Sequence, residues 1–379
     1  MGAIQAIGQA LQVAFAMFWE ILWPLALGFL LSAIVQTLVP KRAVAGALGT
    51  DSPRSLALAC GLGAASSSCS YAAVAIARSL FRKGASFTSA IAFEFASTNL
   101  VFELGLLLLI LMGWQFVAAE FIGGLVMIVI LAVVFRLTLA PRLVEEARRH
   151  AELGIPGRME GHSEMDMAVG EGPFFRRLFS SDALTGISHY LYMDLTSLYV
   201  DIGVGLLIAG ALAAWVPASF WKVFFLTNNP VLAQFWGPLV GPLISMMSFV
   251  CSVGNVPLAA VLWNGGISFG GVIAFIFADL IILPILDIYR KYYGPRVSLY
   301  LLVTSYAAMA LAGFVIGMGF QALGLVPTSR NAIVFESQLA WNYTTVLNLI
   351  FLTIIGALGV RFVRTGGPEM LRMMGGAHH

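Results

Sequence analysis

The sequence predicts an all-α polytopic membrane protein, built as an inverted repeat with two re-entrant hairpins and about seven full spans. Three observations carry that expectation. Of 379 residues, 59% are hydrophobic and only 11% are charged, against roughly a quarter charged in a soluble domain. Two apolar stretches carry polar knots that match each other across the chain. The basic residues also divide between the two membrane faces in a way that only one topology explains.

A bilayer crossing takes about 20 mainly apolar residues. Seven segments qualify, at 12–39, 85–112, 116–139, 195–216, 267–288, 299–323 and 341–362. Two more apolar segments, 55–80 and 231–263, hold the knots "GAASSSCSYAAVAIA" and "SFVCSVGNVPLAA". Between Pro141 and Ser181 the chain turns polar, which predicts a linker loop of about 40 residues. The first twelve residues carry no charge, so no cleavable signal peptide is expected. The three cysteines all fall in apolar segments and do not read as a disulfide framework.

The halves are related by a shift of 182 residues. Cys69-Ser70 falls on Cys251-Ser252, Gly84 on Gly266 and Ser86-Phe87 on Ser268-Phe269, and 13 of the 28 positions from Cys69 to Ala96 match without a gap. This is an internal repeat.

Cytoplasmic loops are enriched in Lys and Arg, and the Arg-rich linker is placed inside. If both knot segments crossed fully, 11 basic residues would lie inside and 10 outside. If each knot segment enters and returns on one side, 19 of the 21 lie inside, leaving Lys222 and Arg330 outside. The second arrangement inverts one half relative to the other. It gives a first repeat at 1–140 (hairpin 55–82), a cytoplasmic linker at 141–181, and a second repeat at 182–325 (hairpin 231–265). A last transmembrane helix and cytoplasmic tail follow at 326–379. The N-terminus is expected outside and the C-terminus in the cytoplasm of a cell (inner) membrane protein. Inverted repeats whose broken elements meet near the midplane are a transporter architecture.

The candidate site follows from that architecture. Ser67, Ser68, Ser70, Ser252 and Asn255 either cap the half-helices or hydrogen-bond a small polar solute. Cys69 and Cys251 either pack as small hydrophobes or contact solute at the two tips. Ionisable residues inside a membrane are costly and mark functional sites. Glu94 lies beside Ser97, Thr98 and Asn99, and Asp279 occupies the Ser97 position of the second half. Glu94 and Asp279 are candidates for proton coupling, with Asn99 lining the same cavity. Glu20 and Asp201 are weaker relay candidates. Glu103 and Asp287 are expected near the membrane ends, in reach of water.

With these residues in view the chain resembles the predicted permease family that includes the ArsP-type organoarsenical efflux permeases. The family's hairpin motif has the form Cys-Ser-x-Gly-x-x-Pro. The second copy here reads "CSVGNVP", and the first reads "CSYAAVA", keeping Cys-Ser and losing Gly and Pro. "EFASTNLV" and "FADLIILPI" also resemble family hallmarks. The resemblance implies a secondary permease exporting a small solute, such as a trivalent (organo)arsenical, through a midplane site at the two hairpin tips. Soft thiols suit a thiophilic metalloid. Alternatives are a permease for another small sulfur-containing or anionic solute, a channel, or a membrane enzyme with a Cys nucleophile. The chain has no G-x-x-x-x-G-K-[ST] loop for ATP. No cofactor, metal or nucleic-acid partner is expected. The partners expected are the small-molecule substrate and the bilayer, with self-association left open.

Overall fold

The computed structural model describes residues 3–38, 48–66, 70–152, 174–248, 252–332 and 343–375, and no strand occurs among them. The first long helix, α1 (Ala3–Leu38), packs along α9 (Ser181–Trp215). Their 36 and 35 residues give each about 50 Å of length, beyond the roughly 30 Å hydrocarbon layer. Small residues bring the two together, since a Cβ at Gly210 would sit 3.1 Å from that of Ala14.

Between them the first half continues as α2 (Pro53–Ser66), α3 (Ser70–Arg82), α4 (Phe87–Asn99), α5 (Phe102–Leu111) and α6 (Trp114–Thr138). After the one-turn α8 (Phe174–Leu178), α9 and the short α10 (Ala218–Phe224), the series recurs as α11 (Pro230–Ser248), α12 (Ser252–Gly265) and α13 (Phe269–Phe277). A 3-10 turn (Ala278–Ile281), α14 (Leu283–Tyr293) and α15 (Pro295–Ala322) complete it. Local chemistry repeats at the 182-residue shift. Gly84 and Gly266 take φ +107° and +112°, a region glycine enters without a Cβ penalty. Ser86 and Ser268 then cap α4 and α13, accepting from the N–H groups of Ser89 and Gly271 at 3.1 and 3.2 Å. Both spans break at matching places, Leu100 and Ile282.

Among the described residues five helical stretches are long and apolar enough to cross a bilayer: Phe87–Leu111, Trp114–Thr138, Pro230–Ser248, Pro295–Ala322 and Thr344–Arg364. A sixth arises if Phe269–Ile281 and Leu283–Tyr293, bent by 43°, form one broken span. On α6 the aliphatics Ile122, Leu125, Val129 and Val133 are exposed, while Phe116, Glu120, Gly123, Gly124 and Met127 are buried. That is a lipid-facing stripe at helical spacing, with small and polar groups kept inside.

Two expectations change. The 141–181 linker is not all loop, because Pro141–Glu152 forms the amphipathic helix α7. Proline suits its first position, and Ala147 and Ala151 are buried against α3 and α14. Arg78 of α3 holds it by donating to the Ala151 carbonyl at 2.9 Å, with its guanidinium 4.2 Å from the Tyr292 ring centroid. The two expected hairpins are also unequal. The 14 residues of α2 reach about 21 Å, too short to cross. The 19 residues of α11 reach about 28 Å, long enough to cross unaided. Both tips, 67–69 and 249–251, lie outside the described residues.

Aromatic clusters mark the two ends of α6. Phe87 of α4 packs on Phe81, on Phe135 at the C-terminal end of α6, and on Tyr293, with ring centroids 5.4, 5.9 and 5.5 Å apart. Its counterpart Phe269 of α13 packs 4.9 Å from Phe116, at the other end of α6, and 5.2 Å from Phe320. Phe116 and Phe135 are about 28 Å apart along the helix. Matching positions of the two halves therefore sit at opposite ends of one helix. The last long helix, α16 (Tyr343–Arg364), lies against α1 and α9, and α17 (Gly367–Gly375) follows.

Two outcomes are expected. In a cysteine-free background, Lys83→Cys and Arg296→Cys should resist an impermeant maleimide in intact cells, while Ser329→Cys should react. Labelling of the first two from outside would overturn the orientation. Gly270 of α13 lies against the Gly313 backbone of α15, so Gly270→Val should lower stability by about 1–3 kcal/mol, read as an earlier thermal unfolding midpoint in detergent.

Candidate functional site at the two helix breaks

The site forms where α4 and α13 stop inside the protein. Every residue of α4 is buried, and it ends in Ser97-Thr98-Asn99. Ser97 Oγ donates to the Glu94 carbonyl at 2.8 Å, and Asn99 Nδ2 donates to the Phe95 carbonyl at 3.1 Å. Such local bonds compete with the helix ladder and weaken its last turn. In the second half the 3-10 turn ends at Ile282, and Pro284 opens the first turn of α14, where a proline is tolerated.

Both breaks face the middle of α6. A Cβ on Gly124 would meet Asn99 and Leu100, and one on Gly123 would meet Phe277 and Ile316. The paired glycines let both interrupted spans approach the same face. Glu120 lies three and four residues earlier, on that face.

Three carboxyl groups converge on this region. Glu94, Glu120 and Asp279 are all fully buried. Asp279 is within electrostatic reach of both Glu94 and Glu120. Each half supplies the other's hydrogen bond. Ser70, the first residue of α3, donates from Oγ to Asp279 Oδ2 at 2.6 Å. Tyr289 of α14 donates from its hydroxyl to Glu94 Oε1. Glu94 Oε2, Asp279 Oδ1, Asn99 Oδ1 and both oxygens of Glu120 have no hydrogen-bond partner among the described residues. An ionised carboxylate buried without a partner costs several kcal/mol. The arrangement therefore suits binding of a proton or a cation.

Of the residues expected at the site, Ser70, Glu94, Asn99 and Asp279 come together here. Asn255 has another task. Its carboxamide donates to Ser245 Oγ at 3.0 Å and accepts from Ser248 Oγ at 3.3 Å, which braces α12 against α11. Ser252 is buried at the start of α12. Cys69, Cys251, Ser67 and Ser68 lie outside the described residues, as do the side chains of Glu20 and Asp201. Glu103, expected near water, is instead buried in the first turn of α5. Asp287 is exposed and pairs with Arg290 and Lys291 at 2.7 and 2.9 Å.

Sequence reasoning missed Glu120 and Tyr289. The signal for Glu120 was present: it is the one acidic residue in the 25-residue apolar stretch Trp114–Thr138. Tyr289 carried none, since nothing local to "ILDIYRKYY" points at Glu94.

A separate cavity of about 470 Å³ opens where α12 meets α13, lined among others by Gln234, Trp263, Ser268, Gln321, Thr328 and Arg330. Arg330 closes one side, donating to the carbonyls of Trp263 and Ile267 at 2.7 and 2.8 Å and lying 4.2 Å over the Trp263 ring. Burial pushes its guanidinium down from its ordinary value, yet arginine stays charged in proteins.

Ser70→Ala should cost about 1–3 kcal/mol, because it leaves a buried carboxyl oxygen without its donor. Combined with Asp279→Asn, the loss should fall short of the sum of the single losses. Additive losses in detergent unfolding would mean that the bond contributes nothing specific.

Residues 6–318 match the family profile ArsP_1, described as a predicted permease. A Mycobacterium tuberculosis protein named "Putative permease Rv2963" is 60% identical over 340 residues, covering 89% of this chain and 84% of that protein. No solved structure matches the chain. The chain belongs to the ArsP-type predicted permease family, as a multi-pass, all-helical membrane protein.

Proposed function

We propose that this chain is a proton-coupled secondary permease exporting a small solute, such as a trivalent organoarsenical, past the two helix breaks. The observation that carries the proposal is the Ser70–Asp279 hydrogen bond. It joins the start of α3, next to Cys69, to a buried carboxyl of the opposite half. A solute held by the Cys69 thiol would compete for the Ser70 hydroxyl. Asp279 would then lose the donor that stabilises its carboxylate and take up a proton, which links solute binding to proton movement.

The inverted arrangement is supported by Phe87 and Phe269, which occupy matching positions and pack at opposite ends of α6. The orientation is supported by the clustering of Arg78, Arg148 and Arg296 with the linker helix α7. Arg330 lies with the other aromatic cluster. Buried acids at the breaks favour a neutral or cationic solute over an anionic one. The buried cation Arg78 is committed to Ala151 and Tyr292, away from the breaks.

The groups facing Asp279 are few. They are Ser70 from α3, Glu94 and Asn99 from α4, Glu120 from α6 and Tyr289 from α14. Helices α11, α12 and α13 contribute no titratable side chain. On α15, Arg296, Tyr300 and Tyr306 engage Glu146, Thr138 and the Leu239 carbonyl.

Everted vesicles loaded with the wild-type chain should accumulate a trivalent phenylarsenical. Cys69→Ser/Cys251→Ser should reduce uptake by about tenfold or more, roughly 1.4 kcal/mol. Asp279→Asn should flatten the pH dependence of uptake instead. Unchanged uptake in the double serine variant would refute thiol ligation. No uptake by the wild type would refute the arsenical.

A further inference from the structure

Glu120 is used by nothing described so far. It lies in the interior of a membrane-spanning helix, fully buried, with neither carboxyl oxygen hydrogen-bonded among the described residues. A side chain kept there for packing alone would be apolar, because burying a carboxyl without a partner is unfavourable even when it is neutral. Its place is defined by its neighbours on α6. Gly123 lies against Phe277, two residues before Asp279, and Gly124 lies against Asn99 and Leu100. Glu120 shares their face, and Asp279 at the second break is its charged neighbour. Asn99 Oδ1, on the element beside Gly124, is also buried and without a hydrogen-bond partner among the described residues.

We propose that Glu120 is a proton-binding residue of the permease, exchanging a proton with Asp279 across the gap between the two helix breaks. The exchange balances simply. The Asp279 carboxyl gives up its proton and becomes a carboxylate, and the Glu120 carboxylate takes it and becomes an acid. The pair holds one negative charge before and after. Ser70 stabilises the charge on Asp279 through its hydroxyl, so loss of that bond drives the proton back to Asp279. The only helix that carries Glu120 also reaches both aromatic clusters, at Phe116 and Phe135. The exchange thus gives α6 a charged and a neutral state during the transport cycle.

The groups facing Glu120 from the elements packed on α6 are accounted for. Asp279 is the charged neighbour. Helix α4 brings Glu94, tied to Tyr289. Helix α5 carries Glu103 in its first turn. Helix α13 brings no titratable group, and those of α15 are engaged elsewhere.

The inference rests on the permease reading and deepens it, and its test needs no transported solute. Dicyclohexylcarbodiimide enters apolar interiors and modifies carboxyl groups in their protonated form. The purified full chain is treated across about pH 5 to 9, and the adducts are located by mass spectrometry. Modification is expected at Glu120 and Asp279, falling as pH rises. In Glu120→Gln a neighbouring negative charge is gone, so Asp279 binds its proton less tightly. Its labelling midpoint should move to lower pH by about one unit. Glu120→Asp keeps a carboxyl and should move the midpoint back toward wild type, and it also serves if the Gln variant fails to fold. An unmodified Glu120 at every pH, or an unmoved Asp279 midpoint in Glu120→Gln, would overturn the proposal. Coupled labelling without phenylarsenical uptake would retire the solute and keep the proton pair. Uptake with uncoupled labelling would do the reverse.

Discussion

Close packing of α6 against both interrupted helices, at Gly123 and Gly124, is the contact on which the rest of the structure depends. A helix that stops inside a bilayer releases peptide groups that lipid cannot satisfy. Such a break survives only when protein or a water-lined space surrounds it. Here both breaks are buried on one face of one helix, and side chains no larger than hydrogen allow it. The same face then has room for a carboxyl at Glu120. Placing two costly features together confines the cost to one region and leaves the outer face of α6 apolar from Ile122 to Val133.

That region is held by bonds that cross between the halves. Ser70 of the first half serves Asp279 of the second, and Tyr289 of the second serves Glu94 of the first. Each of these two acids takes its side-chain donor from the opposite half. Rigid-body movement of one half against the other would break both bonds at once. Buried ionisable groups of this kind rarely add stability. Their retention in a hydrophobic interior is better understood as a functional constraint that the surrounding packing tolerates.

The two halves are not identical, and the differences have physical causes. The arm α11 contains Pro238 and Pro242 and runs five residues longer than α2. Asn255 ties α12 to α11 through two serines, while Ser70 of α3 bonds Asp279. The first half is also clamped through Arg78 and the linker helix α7. The second half is clamped at its own α12–α13 turn by Arg330 and by Asn264, which bonds Ala332 in both directions at 3.0 Å. Helices α11 and α12 are braced against each other, and α3 is braced against the opposite half.

The sequence by itself determined the class of protein, the repeat and most of the spans. Each of these depends on local or periodic properties: apolar length, basic loops, a serine cap after a glycine with positive φ. Matching Ser86 with Ser268 and Leu100 with Ile282 needed only the 182-residue shift. Glu94 and Asp279 were legible because an acid inside an apolar run is costly wherever it points. The tertiary structure alone decided their partners. Tyr289 lies 195 residues from Glu94, and Ser70 lies 209 from Asp279. No periodicity reports which distant hydroxyl will reach a buried carboxyl. The linker helix α7 was hidden for the same reason, since its short apolar face gains stability only from α3 and α14 beneath it. Convergence of the two breaks on Gly123 and Gly124 is likewise a property of packing, because a glycine pair in an apolar helix records that something comes close without recording what.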